Sequence, residues 1–141
     1  MFKRWILVWV AVLGMGPMAM AQFGASYYNG DGSYGGHASF NGGTTNYYGS
    51  NGGYAGQSNT FGNTTSHYGS NGGYAGRSST FGNTTSHYGS NGSYTGRSTT
   101  MGNTIYHYGS DGSYQGSTSV NGNQANHYNS SGGFLGWLLG N

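Results

Sequence analysis

Four histidines recur at a fixed interval of twenty residues, His67, His87, His107 and His127, and Tyr27 and Tyr47 fill the same column nearer the start. A ladder of imidazoles could hold Zn²⁺ or Cu²⁺, or change charge near pH 6.5. Metal sites usually add carboxylate or thiolate ligands, and none lies near these four in sequence. The column therefore reads as a half-exposed strand position facing neighbours of the Thr65 type, with no metal or other cofactor. His37 stands out of phase. Ser66-His67 offers no nucleophile–base pair, because adjacent strand residues point to opposite faces. The chain has two acids, Asp31 and Asp111, and no cysteine, so paired-carboxylate and thiol mechanisms find no residues. A non-enzymatic protein is expected.

Aromatic residues form two further columns. Tyr28, Tyr48, Tyr68, Tyr88, Tyr108 and Tyr128 make the first; Tyr34, Tyr54, Tyr74, Tyr94, Tyr114 and Phe134 make the second. A tyrosine joins an apolar face to a hydrogen-bonding tip. Tyr48, Tyr54, Tyr68, Tyr74, Tyr88, Tyr94, Tyr108 and Tyr114 are thus candidates either for stacking against sugar rings or for the core. The core reading is preferred, since nothing else in the repeat could serve as one. Columns such as Thr60/Thr80/Thr100 and Thr64/Thr84/Thr104 resemble the hydroxyl arrays of ice-binding surfaces. Arg77 and Arg97 interrupt them, and such ladders also simply suit strands.

These columns belong to units beginning at residues 27, 47, 67, 87 and 107, with a partial sixth from His127. Asn71-Gly72 between Tyr/Ser/Thr-rich arms predicts a hairpin. A loop of Ser70-Asn71-Gly72, with Gly72 left-handed, sets Gly69 opposite Gly73 and Tyr68 opposite Tyr74. Gly82-Asn83 predicts the second turn. Along Tyr74–Phe81, strict alternation groups Tyr74, Gly76, Ser78 and Thr80 on one face, and neither face is cleanly apolar. A unit so poor in apolar residues must stack on its neighbours. The expectation is an all-β, repetitive β-hairpin or solenoid array of about five 20-residue repeats following a signal peptide.

The outer units differ from the middle ones. Phe61, Phe81 and Met101 occupy a column where Asn41 and Asn121 stand in the outer units, whose apolar residue comes one place earlier as Phe40 and Val120. Atypical end units suit a capped array. The apolar tail, with Phe134, Leu135, Trp137, Leu138 and Leu139, reads as a cap over the last repeat or as a docking patch.

At the start, Lys3-Arg4, the apolar run Trp5–Leu13 and the small-residue site Ala19-Met20-Ala21 make the pattern of a secretory signal peptide. Cleavage there leaves no stable membrane span. The organisation expected is a leader over 1–21, a short lead-in over 22–26, five repeats over 27–126, and a partial sixth repeat with an apolar cap over 127–141. Lys3 and Arg4 carry the formal charge of +2, and the remaining Arg77, Arg97, Asp31 and Asp111 balance. Nucleic acid, which demands several basic phosphate contacts, is excluded as a partner. A secreted or cell-surface location follows, or the periplasm in a Gram-negative bacterium.

The spacing of Tyr68, Gly72 and Tyr74, repeated over most of residues 27–134, resembles the YD (Rhs-type) repeat family. The resemblance implies β-hairpin walls of the kind that enclose cargo or form surface stalks. Gly69 and its equivalents replace that family's Asp, and five units are too few for an enclosing shell. More weakly, the chain is similar to choline- and glucan-binding repeats and to curlin-type subunits, without the tryptophans of the first or the glutamine ladders of the second. The functional expectation is a structural or adhesive, self-associating surface protein, motivated by open strand edges. The alternative is a small carbohydrate-binding module using the tyrosine columns. Polysaccharide, a cell surface and further copies of the chain are the partners considered.

Overall fold

Short turns at ten-residue intervals and pleated arms between them leave the chain one course, a meander. In the computed structural model, which describes residues 24–140, that meander has twelve strands. They are β1 Ala25–Asn29, β2 Tyr34–Asn41, β3 Thr44–Gly49, β4 Tyr54–Phe61, β5 Thr64–Gly69 and β6 Tyr74–Phe81, then β7 Thr84–Gly89, β8 Tyr94–Met101, β9 Thr104–Gly109, β10 Tyr114–Asn121, β11 Gln124–Asn129 and β12 Phe134–Gly140. Each pairs antiparallel with its neighbours in sequence, and β12 pairs with β1 from Ala25↔Gly140 to Asn29↔Gly136.

The repeat is therefore a closed barrel and not an open solenoid. The tail explains the difference: it follows the strand pattern of the preceding units, with Gly136 in the glycine column. It becomes the closing strand β12 instead of a cap, and the lead-in residues Ala25 and Ser26 already belong to β1. Closure removes the free edges on which strand-by-strand association would rest. The leader lies outside the described residues.

Both turns form as the sequence predicts. Gly69 N–H donates to the Gly73 carbonyl at 2.9 Å, Gly72 takes φ +78°, and the Asn71 side chain accepts from Gly73 N–H at 2.9 Å. At the other end Gly82, at φ +59°, and Asn83 connect the paired residues Phe81 and Thr84. Positive φ at the first central residue alone is the type II′ arrangement, which suits strand twist.

Between these turns sits the feature that strict alternation misses. Tyr68 pairs with Tyr74, but the next residue of β5, His67, pairs with Gly76, leaving Ala75 as the extra residue of a β-bulge. One extra residue reverses the facing of everything before it. Tyr74 thus leaves the face of Gly76 and Ser78 and joins Tyr68 outside. Gly76 bends at φ +140°, where a Cβ would lie 2.3 Å from the Tyr88 carbonyl oxygen. The same register shift precedes Gly36, Gly56, Gly96, Gly116 and Gly136.

Inward faces carry two contrasting linings. Around the β1/β12 seam, Ala25, Ala125 and Leu138 form a buried apolar cluster with Phe40 and Val120 against it. The atypical end units are accounted for here: closure brings the first and last repeats side by side, and their substitutions pack together. Phe40 and Val120 point in, whereas Phe61, Phe81 and Met101 stand exposed at turn tips, one position on. Away from the seam the lining is mainly Ser, Thr and His, with Tyr47 and Ile105 buried among them.

Gly76→Ala is expected to lose about 3 kcal/mol, and Gly82→Ala, whose added Cβ meets nothing within 4 Å, about 1 kcal/mol for its left-handed backbone alone. Urea unfolding of the two variants measures this; equal losses would contradict the bulge as the critical contact.

Candidate functional site

Two belts run around the barrel, one on each side of the same wall. The inner belt begins at Tyr47 on β3. Its hydroxyl lies 2.9 Å from Ser58 Oγ, which lies 2.9 Å from His67 Nδ1. His67 Nε2 reaches Ser78 Oγ at 3.0 Å, and Ser78 Oγ reaches His87 Nδ1 at 2.9 Å. The pattern continues through Ser98, His107 and Thr118 to His127 Nδ1, with every step 2.8–2.9 Å. Nine side chains on nine successive strands are thus joined in one hydrogen-bonded run. It ends at His127 Nε2, which is buried without a partner. In the repeat pattern the next residue would be a hydroxyl; here it is Leu138 of the apolar seam.

A hydroxyl has one proton to donate, so two uniform senses carry the run from end to end. In one sense every imidazole carries its proton on Nε2, leaving a buried N–H of His127 without an acceptor. In the other every proton sits on Nδ1, and only a lone pair is left over. Orphaned buried N–H groups are the rarer of the two, which favours the second sense. Tyr47 then accepts from Ser58, with Thr45 as its other hydrogen-bonding neighbour.

Charge is unwelcome on this belt. Burial lowers the pKa of His67, His107 and His127 to about 4, with repulsion from neighbouring histidines adding to the effect at His67 and His107. Burial also lowers His87, and it raises the Tyr47 phenol to about 12. Both carboxylates of the described residues, Asp31 and Asp111, are occupied in distant turns by Ser33 and Ser113. The histidine column is therefore an inward structural network of neutral imidazoles. His67 and His127 are buried and His87 and His107 half-buried, and none of them is, among the described residues, part of a cluster suited to a metal ion. Sequence reasoning did not connect them to Ser58, Ser78, Ser98 and Thr118, although that hydroxyl column keeps the same twenty-residue period.

The outer belt is aromatic. Tyr48–Tyr54, Tyr68–Tyr74, Tyr88–Tyr94 and Tyr108–Tyr114 pair edge to face with ring centroids 5.9–6.0 Å apart. Tyr28–Tyr34 and Tyr128–Phe134 extend the series at 5.9 and 5.8 Å. The tyrosines read from sequence as the core thus lie outside, because the bulge reverses their facing. Tyr34, Tyr54, Tyr74, Tyr94, Tyr114 and Phe134 each keep 40–45% of their surface exposed. From the tail, Trp137 stacks on Tyr28 at 5.0 Å and Phe134 lies beside Trp137 at 6.0 Å. Leu138 points in, while Leu135 and Leu139 are half-buried. Arg77 and Arg97 lie over Tyr88 and Tyr108, at 5.0 and 5.1 Å from the ring centroids.

No protein-family model matches the chain, and no curated protein matches it.

The inner belt sets a pH dependence with a definite sign. These histidines titrate lower when folded than their ordinary 6.5, so the unfolded chain binds protons first. Their contribution is intact above pH 6.5 and is lost as pH falls toward 4, at up to about 1.4 kcal/mol per pH unit for each histidine. Urea midpoints that stay level from pH 7 to pH 4.5 would contradict this. His67→Leu leaves Ser58 and Ser78 each short of a partner, whereas His127→Leu affects only Thr118. At pH 7 the first is expected to cost about 1 kcal/mol more than the second.

Proposed function

We propose that this chain is an exported, non-enzymatic adhesive protein that holds polysaccharide against the outer aromatic belt of its barrel. The observation that carries the reading is the belt itself: paired rings repeat on every hairpin, and one ring of each pair keeps 40–45% of its surface open to solvent. A barrel that needed those rings for stability would turn them inward. Flat aromatic faces edged by hydroxyls match the alternating apolar and polar surfaces of a sugar ring. Repetition around the barrel allows many weak contacts to act together along one polymer. The outward face also carries Gln57, Asn59, Arg77 and Arg97, unlike the apolar band of a barrel that faces lipid. Export follows from the leader pattern.

Self-association into a surface coat is a second reading, supported by Phe61 and Phe81, exposed by 92% and 88% at neighbouring turn tips, with Met101 beside them.

The decisive variant is Tyr74→Ala/Tyr94→Ala, tested against a polysaccharide panel, with circular dichroism to follow the strands. The expected result is an intact barrel with roughly thirtyfold weaker binding, each of the two truncated rings removing about 1 kcal/mol of contact. Unchanged binding by a folded double variant would reject the aromatic belt. Sedimentation of the unmodified protein separates the two readings: a lasting monomer that binds sugar supports the first, and sugar-independent large species support the second.

A further inference from the structure

One column of the outer belt does not repeat. The eleventh residue of each unit is His37, Gln57, Arg77, Arg97, Ser117 and Trp137 in turn. Each pairs across the strands with a tyrosine of the first aromatic column: Tyr48, Tyr68, Tyr88, Tyr108, Tyr128 and Tyr28 respectively. An invariant ring thus stands beside a changing side chain at six places on one wall. His37 and Trp137 cover their tyrosines with flat rings at 4.7 and 5.0 Å. Arg77 and Arg97 cover theirs with guanidinium groups instead. In an otherwise near-uniform repeat, this is where one part of the belt becomes chemically different from the next.

We infer that the β6–β10 part of the belt selects acidic polysaccharide, with Arg77 acting beside Tyr88 and Tyr94, and Arg97 beside Tyr108 and Tyr114. The inference rests on the polysaccharide reading and narrows it to sugars bearing carboxylates. Both arginines are exposed, and each lies over a tyrosine ring that limits its freedom. A guanidinium in that posture keeps its edge donors for a planar anion, which it can grip through two parallel hydrogen bonds. Neither acid of the described residues competes for this edge, since Asp31 and Asp111 accept from serines in their own turns. Arg77 and Arg97 are equivalent positions on β6 and β8, level with Tyr88 and Ser86 of the intervening β7, so two strand spacings and a two-residue stagger set their backbones about 12 Å apart, a span of more than one sugar along a polymer. The adjacent tyrosine faces would carry the rings between the carboxylates.

Gln57 occupies the same position in a neighbouring unit, so Arg77→Gln/Arg97→Gln removes both charges with a side chain this wall already accepts. Calorimetry with polygalacturonate, and with dextran as a neutral counterpart, is the test. The unmodified protein is expected to prefer polygalacturonate, with affinity falling as salt rises. The double variant is expected to lose roughly tenfold or more of that affinity while its dextran binding and circular dichroism stay unchanged. Arg77→Lys/Arg97→Lys, which keeps the charge and loses the fork, should fall between. Equal affinity of the unmodified protein for both polymers would overturn the acidic selection and leave the aromatic belt as a neutral-sugar site. Unchanged polygalacturonate affinity in the double Gln variant would overturn the role of the arginines. Binding to neither polymer would overturn this inference together with the reading it rests on.

Discussion

The barrel depends on a contact that only glycine can make. Once per unit, at Gly36 through Gly136, the backbone bends at φ between 137° and 147° and passes so close to the facing strand that a methyl group would overlap a carbonyl oxygen. The bend accommodates one extra residue, and that residue reverses which side chains face in. Without it, Tyr74 and Ser78 would share a face, with rings crowding the interior and no continuous hydroxyl line. With it, the wall separates its chemistry: aromatic rings outside, small hydroxyls and imidazoles within. The inner and outer belts are two consequences of one backbone feature.

Closure adds the second constraint. A chain of near-identical hairpins has no internal reason to stop, and an open sheet would expose two edges. Here the end repeats are modified where they meet. Phe40, Val120, Ala125 and Leu138 replace the Thr, Ser and hydroxyl-bearing pattern of the middle units, and with Ala25 they make the apolar cluster at the seam. Burial of apolar surface is concentrated there, while the opposite interior is held by hydrogen bonds that run from strand to strand. The cost of this arrangement appears at one atom. Where the polar run meets the apolar seam, His127 Nε2 has no partner, because the place of its next hydroxyl has been given to Leu138.

Local structure was legible in the sequence. Asn71-Gly72 and Gly82-Asn83 specify both turns, and the three-residue loop fixes the Tyr68–Tyr74 pair, because these outcomes depend on residues a few positions apart. The faces were not legible by alternation, since a bulge has no side-chain signature beyond another glycine in a glycine-rich chain. Nor was the imidazole run, whose links join residues 9 or 11 apart through strand register. Closure was hidden for a similar reason: Phe134–Leu139 reads as an apolar tail until Gly136 is seen to hold the same place as Gly76. Of the candidate site, the tyrosine columns were named but their facing was reversed, and Arg77 and Arg97 appeared only as interruptions of a hydroxyl array.

The most direct test of closure is a distance between β1 and β12. Spin labels at Ser26→Cys and Leu139→Cys, in a chain that contains no other cysteine, sit on directly paired residues across the seam. A closed barrel is expected to give strong dipolar broadening from neighbouring labels in a monomeric sample. An open twelve-strand array would place the labels about 50 Å apart at a strand spacing of about 4.8 Å, and a long distance in pulsed measurements with no broadening would contradict the closed barrel.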